Sequence, residues 1–270
     1  MTVKTITLPF RYDQVGSLLR SSNLTEAREQ YKTGTITQNQ LINVENNEIV
    51  RLIEKQKENG VLAITDGEFR RSWWHFDFLG GLDGVEYYEK DKGLDFHQME
   101  TRKEGIRVIG KSGFTTHPFV QHFEFLKQHA GEVVVKQTIP SPNMLIRRVD
   151  MNEEVYQDKE EFKQDIIVAY QKAIQAFYDA GCRYLQLDDT AWADLFSEEG
   201  HEKLRAKGLD PAEELVLMQQ MINESIANKP EDLTVTMHIC RGNYKSNYFT
   251  SGGYDYASEV IFGGLNVDGL

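Results

Sequence analysis

Four times along this chain an amphipathic helical pattern closes on a glycine or proline turn and leads into a short apolar run. That alternation narrows the fold more than any other feature, because helix and strand taking turns is the pattern of βα units around a parallel sheet. Residues 37–59, "TQNQLINVENNEIVRLIEKQKEN", open with Thr37 and Gln40 at capping-box spacing and end before Gly60, and "VLAITDGE" follows. Residues 159–180 place Phe162, Ile166, Ile167, Tyr170, Ile174 and Phe177 on one face, close at Gly181 and lead into "CRYLQLDD". Asp210-Pro211 is an N-cap with proline behind it, opening a helix to about Ala227 before "LTVTMHIC". Finally "YDYASEVIFGG" runs into "LNVDGL".

Two further strands are expected, near 10–17 and at 132–140, giving six that all read as parallel. Residues 72–118 are rich in aromatics and glycine without a helical period, and read as an insertion with a hairpin in "GIRVIGKSGFT". No G-x-G-x-x-G follows a first strand, which argues against a dinucleotide-binding sheet. The expected fold is α/β, a (β/α)8 TIM barrel forming one catalytic domain over residues 1–270. Because the sequence stops inside a strand candidate, the reading is of an incomplete barrel whose last two βα units lie beyond Leu270.

Composition limits the partners. A net charge of −12 with both signs interspersed disfavours nucleic acid and anionic membranes, and leaves small molecules as the expected partners. No apolar run approaches the roughly 18 residues of a membrane span, and the N-terminus has no secretory h-region, so a cytoplasmic location is expected. Two cysteines, Cys182 and Cys240, are too few for a disulfide framework. Cys182 begins its strand and reads as a core thiol.

In such a barrel the active site gathers at the C-terminal ends of the strands. The polar residues there are Gly16-Ser17, Asp66-Gly67-Glu68, Ser141, Asp188-Asp189, and His238 with Cys240. His238 and Cys240 stand two apart on a strand, so both side chains leave on one face and suit one soft metal ion such as zinc, or equally a packed core. Glu68 and Asp188 directed into one mouth would hold an ammonium group, and the Gly16 and Ser17 amides a carboxylate, together an amino acid. Asp189 reads as a helix cap or a functional group with equal weight. Trp73, Trp74 and Trp192 are candidates for a pocket wall or for packing.

The segments "QVGSLLR", "ITDGEFRR", "LQLDDTAW" and "MHICRGN", in that order, resemble the catalytic barrel of the cobalamin-independent methionine synthase family, and most closely its short single-barrel bacterial members. The resemblance runs from about residue 8 to the last residue. It implies His238 and Cys240 as zinc ligands, Glu68 and Asp188 as contacts to the amino group of homocysteine, and Ser17 as a contact to the amino acid. The family's remaining ligands, a glutamate and a cysteine, and its proton-transfer histidine would lie after "NVDGL". The implied reaction is methyl transfer to the homocysteine thiol to give methionine, with a methyl folate as one donor. The tryptophan that the large members carry after their third strand has no counterpart in "IPSPNMLIRR", which leaves the donor open. Two rival readings are a metal-free decarboxylase of the uroporphyrinogen type, for which Arg11, Arg20, Arg70 and Arg71 would supply a cationic mouth, and an inactive zinc-binding fragment.

Overall fold

The computed structural model describes residues 7–93, 95–96 and 99–270. The three long helices lie where capping chemistry and hydrophobic period place them. In Gln38–Glu58 the Thr37 hydroxyl accepts from the Gln40 amide at 3.3 Å, while the Gln40 side chain accepts from the Thr37 amide at 2.8 Å. This reciprocal pair satisfies two donors that a helix start leaves open. Lys159–Asp179 is capped by Asp158 and buries every residue of the expected face, and Pro211–Ile226 is capped by Asp210. The glycines that follow the first two, Gly60 and Gly181, have φ of 70° and 94°, the left-handed turn that brings the chain back toward the sheet.

Each helix delivers the chain to a parallel strand. Gln137–Pro140, Tyr184–Asp189 and Thr234–Ile239 form one ladder with Tyr184–Asp189 in the middle. Ala63–Ile64 pairs in parallel with Val134–Val135, and the Lys136 amide donates to Ile64 O at 2.9 Å. Segment 134–140 therefore pairs first with 63–64 and then with 184–189. The order in space, 63–64, 134–140, 184–189, 234–239, is the order in sequence. Sequential order is the wall of an α/β barrel; a doubly wound sheet would reverse direction partway.

Alternation gives this wall two unlike faces. Leu185, Leu187, Val235 and Met237 join the core with Ile166, Tyr170, Ile174 and Phe177 of the covering helix. The residues between them, Gln186, Asp188, Thr236 and His238, take the other face. The period of two thus sorts oil to the helices and polar groups to the interior.

Three expectations are corrected. Segment 10–17 is not a strand: it is held by side chains, with Asp13 2.9 Å from Lys136, and by the Leu18 amide on Gly67 O at 3.1 Å. "LNVDGL" makes a single parallel bridge, Gly269 to Thr236, so it contributes contacts but no full strand. The hairpin is wider than expected: Glu104–Gly113 pairs antiparallel with Asp83–Glu89 and parallel with Val149–Asp150. Helices Ser22–Lys32, Pro118–Ala130, Pro142–Arg148 and Glu198–Ala206 also form without having been anticipated.

Thr37→Ala removes an exposed cap and touches no core residue. It is expected to lower the urea unfolding free energy by about 1 kcal/mol with an unchanged m-value.

Candidate active site

At the C-terminal ends of these strands lies a cavity of about 390 Å³. Gly16, Ser17, Glu68, Asp188, His238 and Cys240 all line it. The ladder explains how two of them meet, since Asp188 and His238 are register partners on adjacent strands and share a face. Ile239, of opposite orientation, packs against the core, and Cys240 returns to the cavity side. The Cys240 amide donates to Asp189 O at 2.8 Å, which fixes the chain at the strand end, and its Sγ accepts from the Gly242 amide at 3.3 Å. Burial lowers the proton affinity of His238, so its imidazole is neutral near pH 7 and has a lone pair to offer.

Glu68 reaches the cavity through an unusual backbone. Gly67 and Glu68 both adopt positive φ, 64° and 58°. The glutamate conformation costs roughly 1–2 kcal/mol for a residue with a Cβ. It is held by several bonds: Asp66 Oδ1 accepts from the Glu68 amide at 2.8 Å, and Arg20 donates to the carbonyls of Glu68 and Arg71 at 2.7 and 2.9 Å. The Glu68 carboxylate faces Arg71 at 3.6 Å, and Arg71 is itself anchored on the Thr138 carbonyl at 2.6 Å and hydroxyl at 2.9 Å.

Asp188 is buried at the same floor. Burial pushes its carboxyl up to about 8, and the nearby Glu68 charge pushes the same way. Burial raises Glu68 as well, against the pull of Arg71. Two acids raised by a shared dry environment favour a cationic group between them. Among the described residues the amides of Gly16 and Ser17 donate to no protein acceptor, so they can take an anion.

Asp189 also borders the cavity, but its carboxylate is engaged within the fold: it accepts from Ser141 Oγ at 2.6 Å, Asn143 Nδ2 at 3.0 Å, Trp192 Nε1 at 3.0 Å and the Ala191 amide at 2.6 Å. Trp192 accordingly sits in the core, while Trp73 and Trp74 do line the cavity. Cys182 is a core thiol, pushed up to about 12 by burial. Of the four arginines considered for a cationic mouth, Arg11 is exposed, Arg70 is bound to Glu45 and Asn46, and Arg20 and Arg71 are committed to backbone carbonyls. The cavity holds groups that sequence reasoning missed, chiefly His75, Arg102, Arg148 and Phe249. His75 is neutral through burial and lies among Trp73, Trp74 and Phe76, and Arg148 stacks over Phe249 at 5.5 Å. The pattern "SWWHF" was the available signal for the first; Arg148 and Phe249 lie 101 positions apart (249 − 148) and carry none.

The profile of the cobalamin-independent synthase catalytic domain matches residues 11–249. The chain belongs to the cobalamin-independent methionine synthase family. A Bacillus subtilis relative, the uncharacterized protein YxjG, is 54% identical over 263 residues, which cover 97% of this chain and 70% of the relative. A solved structure of a Listeria monocytogenes protein assigned as a vitamin-B12-independent methionine synthase superposes with a TM-score of 0.78 at 46% identity, covering 96% of this chain and 71% of that one. A methionine synthase of Sulfolobus acidocaldarius is 25% identical over 230 residues, 85% of this chain and 61% of that protein. The fold is accordingly the TIM-barrel type of methionine synthase catalytic domains.

The Asp188 shift has a sign that can be measured. A carboxyl of 3.8 in the unfolded chain and about 8 in the fold binds a proton more tightly when folded. Its contribution to stability is complete below pH 4 or so and is lost as the pH rises toward 8. Asp188→Asn, neutral throughout, is therefore expected to gain stability relative to the unsubstituted protein between pH 5 and pH 8.5 in paired urea melts. An equal difference at both pH values would contradict the assignment.

Proposed function

We propose that the protein transfers a methyl group to the thiol of homocysteine to give methionine, using zinc held by His238 and Cys240. The observation that carries this reading is the meeting, in one cavity, of a His–Cys pair with two raised carboxylates and the free Gly16–Ser17 amides. Membership of the methionine synthase family supports the reaction class.

Glu68 and Asp188 bind the substrate ammonium, and Asp188 gives up its proton as that charge arrives. The amides of Gly16 and Ser17 take the carboxylate. An amino acid held at both ends directs its side-chain thiol toward His238 and Cys240. An imidazole and a thiolate on one strand face are donors suited to zinc, and a catalytic zinc site takes three protein ligands. Among the described residues no group of three or more His, Cys, Asp or Glu side chains converges on one point, so His238 and Cys240 would supply two of the three protein ligands. Zinc, when bound, supplies a thiol that is deprotonated at neutral pH. The thiolate sulfur forms a bond to the methyl carbon as the bond from that carbon to the donor breaks, and the donor leaves with the electron pair. Trp73 and Trp74, which also line the cavity, help exclude water from this transfer.

A methyl folate is one donor to test. Arg148 over Phe249 offers a cation beside a flat ring, which suits a planar donor bearing an anionic group. Among the described residues no helix is long and apolar enough to cross a membrane.

Elemental analysis on the protein and on Cys240→Ser is the direct test. About one zinc per chain, lost in the variant, is expected; a folded protein with no zinc in either form would sink the reading. In assays of methionine formation, Asp188→Asn is expected to raise the KM for homocysteine roughly 10- to 100-fold, corresponding to one hydrogen bond to a charged group.

A further inference from the structure

Behind the cavity floor lies a buried polar chain that the methyl-transfer reading does not use. Lys136 occupies the position where segment 134–140 changes partner strands, and its side chain is fully buried. Its Nζ is 2.9 Å from Asp13 Oδ1 and donates to Gln186 Oε1 at 2.9 Å. The Tyr184 hydroxyl donates to the other Asp13 oxygen. Gln186 in turn donates from Nε2 to Val15 O at 2.9 Å and to Asp188 Oδ1 at 2.5 Å.

The chemistry of the groups fixes the direction of this chain. An ammonium only donates, so Gln186 must present its carbonyl oxygen to Lys136. Its two N–H bonds then point the other way, onto the Val15 carbonyl and the Asp188 carboxylate. A carboxamide has nearly the same shape either way round. The cation and the two acceptors select the same orientation: Lys136 holds the oxygen on its side, and a flipped amide would set that oxygen against the Val15 carbonyl and the Asp188 carboxylate. With the amide in place, Asp188 Oδ1 is occupied and Oδ2 is left for a ligand. The bond to Val15 O, and the Asp13 pair two residues before it, hold the segment that carries Gly16 and Ser17. A buried ion pair adds little net stability, because desolvation offsets most of its attraction. Its effect here is on geometry.

We propose that Lys136 is a positioning residue: by orienting Gln186 and clamping Asp13 it sets in place both ends of the amino-acid subsite, the Asp188 carboxylate and the Gly16–Ser17 amides. This rests on the amino-acid reading of the site given above.

The test uses Lys136→Met, Gln186→Met and the double variant, with two readouts. The first needs no substrate: amide hydrogen exchange of residues 13–17, relative to the strand Tyr184–Asp189. The expected result is exchange faster by roughly tenfold or more at 13–17 alone, in either single variant. The second is binding of homocysteine and of the analogue lacking its amino group. Homocysteine is expected to bind roughly 10- to 100-fold more weakly in each single variant, with no further loss in the double, while the analogue loses less. Gln186→Met keeps the Lys136–Asp13 pair and supplies a folded variant if Lys136→Met does not fold. Unchanged exchange at 13–17 in a folded variant, or exchange accelerated equally through the whole chain, would overturn the proposal. If the unsubstituted protein binds no homocysteine, the amino-acid reading fails, and the exchange result alone decides whether Lys136 positions the segment.

Discussion

The register between Tyr184–Asp189 and Thr234–Ile239 is the constraint on which the rest depends. It sets Leu187 beside Met237 and Asp188 beside His238, so one pairing fixes the core and the site together. A slip of one residue would turn Asp188 and His238 toward the covering helices and Leu187 toward the polar interior. The apolar half of the pattern opposes that slip with every leucine it buries. Hydrophobic packing on the outer face thereby holds a pair of polar groups in place on the inner one.

The inner face is stabilised differently. Segment 7–20 contributes no ladder, and its position depends on Asp13, Val15 and Leu18 bonding to Lys136, Gln186 and Gly67. Arg20 then ties this segment to the turn that carries Glu68. Gly16, Ser17, Glu68 and Asp188 are thus linked through one polar network.

Much of this was legible in the sequence, and the limits have physical causes. Helices Gln38–Glu58, Lys159–Asp179 and Pro211–Ile226 announced themselves by cap, period and terminal turn. Helix Pro118–Ala130 has the same marks, with His117 and Pro118 at its start and Phe119, Phe123, Leu126 and Ala130 along its buried face. The aromatic stretch that runs into it, residues 72–118, obscures that period. Segment 10–17 looked like a strand because its residues end at a site, yet its anchors are side chains, and nothing local in a sequence distinguishes the two. Of the residues that strand-end logic could reach, Gly16, Ser17, Glu68, Asp188, Asp189, His238 and Cys240 line the cavity, whereas Asp66, Gly67 and Ser141 do not. Arg148 and Phe249 do not follow that logic, since their contact is made by loops and helix ends far apart in the chain.

The backbone of Glu68 bears on how such a protein responds to selection for robustness. Its φ of 58° is one that glycine adopts without strain. Judged by folding free energy alone, a glycine there relieves the strain and also removes a desolvated carboxyl. Any search for a hardier scaffold that scores only melting temperature would be drawn to this residue early, and would remove one of the two raised carboxylates that line the cavity. Stability and chemistry compete here at one peptide unit, and the fold keeps the costly choice by surrounding it with hydrogen bonds.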